Sequence, residues 1–166
     1  MKMKKVLAAM AAMALACAPV AMVSQAQSIG GGPGIVMAGS TDASKLPDKA
    51  KSFINKHFKD VSVRTCERYY AKDKYEVELV NGVDLEFNSK GEVIEIDAPG
   101  NTVLAQTIVK DVLPHKAYSR LEKDGLVDNV ESIEFKKGKV YEVELRIPGP
   151  DTYIFTPEGE FLAIED

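Results

Sequence analysis

The chain has 166 residues, 21 of them basic and 25 acidic, for a formal net charge of −4. That balance disfavours nucleic acid and anionic lipid surfaces as partners, because both are met through a basic patch.

Residues 1–26 read as a secretory signal peptide. Lys2, Lys4 and Lys5 form a positive start, 6–23 is an apolar run, and Ser24-Gln25-Ala26 supplies the small residues of a cleavage site before Gln27. Two other readings stand beside cleavage. The run is 18 residues long, enough to span a bilayer if it is retained. Leu15-Ala16-Cys17 also has a faint likeness to a lipoprotein signal, although its leucine sits one place too close to the cysteine. Cleavage fits best and implies a periplasmic or secreted protein. Three basic residues leave with the leader, so eighteen face 25 acids and the mature chain carries about −7. Cys66 is then the one remaining cysteine, and no intramolecular disulfide is possible.

Residues 27–45 read as a flexible tether, with Gly30-Gly31-Gly32-Pro33-Gly34 followed by Ser40-Thr41-Asp42-Ala43-Ser44. No Gly-Lys-Ser/Thr follows the glycines, so this is not a phosphate loop.

A helix is expected next, because Leu46, Ala50, Phe53, Ile54 and Phe58 recur at helical spacing, with Pro47 in the first turn. The period then changes from 3.6 to 2. Val61–Tyr70 is a first strand, and Tyr75, Val77 and Leu79 alternate with Glu76 and Glu78 in a second. Val83, Leu85 and Phe87 alternate with Asp84 and Glu86 in a third, and Glu92–Asp97 is a fourth. Such alternation marks an antiparallel sheet with one dry and one wet face. Asn81-Gly82 is expected to be a two-residue hairpin turn with positive φ at both positions.

The unit then returns. Tyr75-Glu76-Val77-Glu78-Leu79 recurs as Tyr141-Glu142-Val143-Glu144-Leu145, Leu46-Pro47 answers to Leu113-Pro114, and Gly91-Glu92 answers to Gly159-Glu160. The expected architecture is α+β. A helix-plus-four-strand repeat over 46–99 and another over 113–166 are joined by a connector, 100–112, holding a short helix. The helices share one sheet face, and the two sheets lie side by side or join edge to edge.

This pattern resembles the PepSY-like family of exported bacterial proteins, also described as β-lactamase-inhibitor-protein-like. The resemblance covers 46–97 and 113–166. It implies a non-enzymatic domain that binds or inhibits another protein, a hydrolase among the candidates. The β-lactamase inhibitors of this architecture are disulfide-bonded, and this mature chain cannot be.

Few residues invite chemistry. His57 and His115 share no ligand-like spacing with other donors and read as surface histidines. Strict alternation would turn Cys66 outward beside Arg64 and Arg68, but the repeat aligns it with Ile133, an apolar site, and a structural thiol is expected. Glu76, Glu78, Asp84, Glu86, Glu142 and Glu144 should share the wet face. No calcium-loop pattern accompanies them, so a solvated face is favoured over a metal or catalytic site. The reading is an exported non-enzymatic module, without cofactor or metal, that binds another exported protein through Glu76, Glu78, Glu86, Glu142 and Glu144. An envelope ligand or metal-ion sensor is one alternative, and a small enzyme using Cys66 or a carboxylate pair is the other.

Overall fold

A computed structural model describes residues 41–165. The expected signal peptide, Cys17 and most of the tether lie outside the described residues. The tether's last residues are not simple spacer: Ala43–Lys45 form a 3-10 turn, capped by Asp42 Oδ1 accepting from the Ser44 amide at 3.0 Å.

Eight strands form one antiparallel sheet in sequence order. They are β1 (Val63–Tyr69), β2 (Lys74–Leu79), β3 (Asp84–Asn88), β4 (Val93–Asp97), β5 (Val130–Lys136), β6 (Val140–Leu145), β7 (Thr152–Phe155) and β8 (Phe161–Glu165). The helices are α1 (Asp48–His57), α2 (Gln106–Val112) and α3 (His115–Lys123). The two four-stranded sheets therefore join edge to edge, through β4 and β5, with Ile96 opposite Ile133. Pro47 and Pro114 occupy the N-cap position just outside their helices, with ψ of 151° and 144°, not the first helical turn.

The repeat extends to irregularities of the ladder. One register shift lies between Val63 and Thr65 and its counterpart between Val130 and Ser132. Another pair lies at Glu86/Phe87 and at Ile154/Phe155. The first of these explains Cys66: a bulge at the start of β1 resets the alternation and turns the thiol inward, opposite Val77.

Each repeat also locks its helix through one glycine. A Cβ on Gly91 would stand 2.8 Å from the Ala50 amide nitrogen, and one on Gly159 would stand 2.8 Å from that of Ala117. Both glycines have positive φ, 79° and 85°. The turn that requires a glycine is thus also the place where helix backbone meets sheet.

The hairpin between β2 and β3 differs from expectation. Gly82 has φ 85°, but Asn81 is not left-handed. The Gly82 amide donates to the Leu79 carbonyl at 2.9 Å, which gives a three-residue loop closed by a left-handed glycine.

Leu46, Ala50 and Ile54 of the first repeat, and Leu113, Ala117 and Leu121 of the second, are buried against the inward side chains of the strands. Leu104, Ile108 and Val109, in and around α2, belong to the same core. One face of the sheet is thereby covered and the other left open.

Candidate functional site

On the open face, register does what sequence spacing alone could not. Glu67 lies opposite Glu76, Glu76 opposite Glu86, and Glu86 opposite Glu95. Glu95 lies opposite Glu134, which lies opposite Glu142. Six glutamates thus form one row across six neighbouring strands, ending at Ile154 and Ala163 on β7 and β8. A second row runs Thr65, Glu78, Asp84, Asp97, Ser132, Glu144, Thr152, Glu165. Like charges directly opposite one another destabilise a sheet, by a few tenths of a kcal/mol to about 1 kcal/mol per pair. A row of them carries a standing cost.

Cations offset part of it. Lys74 lies 2.7 Å from Glu76 and 2.5 Å from Glu86, Arg64 lies 2.5 Å from Glu78, and Lys136 pairs with Glu142 and, at 3.6 Å, with Glu134. Burial opposes the charge on Glu76, but hydrogen bonds from Lys74 and Tyr69 outweigh it and hold its carboxyl below the usual range. Tyr69 is pushed up to about 12, first by its hydrogen bond to Glu76.

The centre of the row is different. Glu95 is raised to about 7, by burial first and then by Glu86, Asp97 and Glu134. Asp97 is raised by burial and by Asp84, Glu144, Glu86 and Glu134. These two side chains of β4 stand where the repeats meet. They border two shallow depressions, of about 410 and 360 Å³, one over each repeat.

All five residues expected on the binding face, Glu76, Glu78, Glu86, Glu142 and Glu144, point to this surface, as does Asp84. Glu67, Glu95, Asp97 and Glu134 join them without having been expected, although Glu95 and Asp97 alternate with Ile94 and Ile96 and could be found that way. Among the described residues, no group of three or more His, Cys, Asp or Glu side chains is placed to hold a metal ion.

Cys66 is buried, and burial pushes its thiol up, away from the reactive thiolate. His115 is exposed at the start of α3. His57 corrects expectation: its side chain is only 4% exposed. The ring lies 4.7 Å from that of Phe53, and Nε2 is 2.7 Å from Asp111. Lys56 also bonds Asp111, and the two together hold that carboxyl below its ordinary range. The pair links α1 to α2, so it ties the first repeat to the connector.

The family model described as "Putative beta-lactamase-inhibitor-like, PepSY-like" matches twice, over residues 38–95 and 73–162. The chain belongs to the PepSY-like family. A solved structure from Bacteroides vulgatus, described as "a putative periplasmic protein of unknown function", is 31% identical with a TM-score of 0.61. That alignment covers 80% of this chain and 98% of the other. A second, from Bacteroides thetaiotaomicron, is described as "a putative calcium-regulated periplasmic protein". It is 26% identical with a TM-score of 0.60, over 74% of this chain and 92% of its own. A further structure from Bacteroides vulgatus, described as "a putative periplasmic protein", is 26% identical with a TM-score of 0.59, at the same coverage. No curated protein matches the chain. Among the described residues, no helix of this PepSY-like chain is long and apolar enough to cross a membrane.

Proposed function

We propose that this PepSY-like chain is an exported, non-catalytic module, periplasmic or secreted, whose open acidic sheet face binds a basic surface on another exported protein and modulates it, a hydrolase being the leading class. The observation that carries the reading is the row of six opposed glutamates. A solvated face needs charge, but it does not need charges of one sign placed against each other. An unfavourable arrangement of that kind is offset when a cationic surface docks, which gives both attraction and selectivity. The buried Cys66 thiol supports a non-enzymatic reading over a thiol enzyme.

The test uses periplasmic extract from the producing organism. Wild-type chain and a Glu76→Lys/Glu142→Lys/Glu144→Lys variant are immobilised, retained proteins are identified, and the purified partner is then titrated against both. Loss of binding by the reversed face supports the proposal, and equal binding overturns it.

One similar structure favours a second reading, in which calcium settles on the face of this chain as a signal. The lack of a converging ligand group among the described residues weighs against it. A thermal midpoint raised by millimolar Ca²⁺ but not by Mg²⁺ would favour it.

A further inference from the structure

We propose that the chain assembles head to tail, with β8 of one copy pairing antiparallel to β1 of the next. The joint inside the chain is the template. β4 closes the first repeat and β5 opens the second, and they pair with Ile96 opposite Ile133, Glu95 opposite Glu134 and Asp97 opposite Ser132. The strands at equivalent places in the repeat are β8 and β1, and these are the two edges of the sheet. Carried across by the repeat, the register sets Ile164 against Cys66, Ala163 against Glu67 and Glu165 against Thr65 of the next copy.

Three observations support this occupant. Ile96 is 0% exposed, whereas its counterpart Ile164 is 43% exposed and Leu162 on the same edge strand is 53% exposed. Natural edges are usually blunted, and an apolar one is a template for pairing. The joint between copies also avoids the like-charge opposition that the internal joint tolerates at Glu95 and Glu134. Finally, the two edges differ in charge. β1 carries Arg64, Glu67 and Arg68, its arginines paired within the chain with Glu78 and Asp73, while β8 carries Glu165. The head-to-tail joint is heterologous, so it propagates as an open chain or closes as a ring.

The test uses the full chain with Cys17→Ser, which leaves Cys66 as its one native thiol. Opposed residues of an antiparallel pair stand about 4.5–5.5 Å apart at Cα, within the reach of a disulfide. With Ile164→Cys added, oxidation should give dimers and higher multiples in which Cys66 of one copy is linked to the introduced thiol of the next. Further adding Cys66→Ser should remove the higher multiples. Monomers only, or dimers joined solely through two introduced thiols, would overturn the proposal. Sedimentation equilibrium gives a second readout without new cysteines. Average mass should rise with concentration between about 10 and 500 µM, and Ile164→Lys should abolish the rise. A chain that stays monomeric, or association indifferent to Ile164→Lys, overturns it whatever the cross-linking shows.

Discussion

The two repeats are alike where they are dry and different where they are wet. Phe87 and Phe155 are both fully buried, Val77 answers to Val143, and Ala50 answers to Ala117. Even the ion pairs that staple each helix to its glycine turn recur, as Lys49 with Glu92 and Lys116 with Glu160. On the open face the copies part. The first repeat carries glutamate on all four strands of the main row, whereas the second ends in Ile154 and Ala163. Helix-on-sheet packing tolerates little change of volume, so the same solution is written twice. The open face has no such constraint. A row of opposed glutamates there, only partly offset by Lys74 and Lys136 and held at a cost to the sheet, is the part of the molecule that stability does not explain.

The comparison can be broken first in the core. Phe87→Ala and Phe155→Ala should each cost about 3–5 kcal/mol, with similar shifts in urea midpoint. A large inequality would mean that one repeat carries the fold. Next come the glycine locks. Gly91→Ala and Gly159→Ala combine left-handed strain with a clash against helix backbone, and each should cost about 2–4 kcal/mol. Gly138→Ala, with positive φ but open space around its Cβ position, should cost only about 1–2 kcal/mol.

Smaller effects are expected on the open face, and their sign is opposite. Glu95 is raised in the folded chain from an ordinary value of 4.5 to about 7. Between those values the folded state holds more protons than the unfolded one, so stability falls as pH rises through that window. Asp97 and Asp84, also raised, act in the same direction, whereas the lowered Asp111 and Glu92 contribute stability that is lost toward acid. Glu95→Gln should therefore stabilise at pH 8, by about 1 kcal/mol once solvent screening is allowed for, and change nothing near pH 4. Thermal midpoints across pH 4–8 for both proteins check this. A variant that destabilises at pH 8 would mean that Glu95 has a cation partner.

Much of this is legible in the sequence, because periodicity reports which way side chains face. Leu46, Ala50 and Ile54, and the inward Tyr75, Val77 and Leu79, follow from spacing alone. What escapes depends on relations between strands. Strict alternation alone would turn Cys66 outward, because the bulge at the start of β1 is invisible in a string of letters; the repeat, which aligns Cys66 with Ile133, places it inward correctly. His57 reads as polar surface until α2 brings Asp111 within 2.7 Å. Six of the acids follow from their own strands, but the row that unites Glu76, Glu86 and Glu142 with Glu67, Glu95 and Glu134 depends on hairpin lengths and on the β4–β5 joint.

The most direct test of the acidic face is a calorimetric titration of the purified partner into wild-type chain and into the Glu76→Lys/Glu142→Lys/Glu144→Lys variant, at 50 and 300 mM salt. The account predicts that wild-type affinity weakens with salt and that charge reversal weakens it at least about 100-fold, equivalent to about 2.7 kcal/mol. Undiminished affinity in a folded variant, with no salt dependence in the wild type, would contradict it.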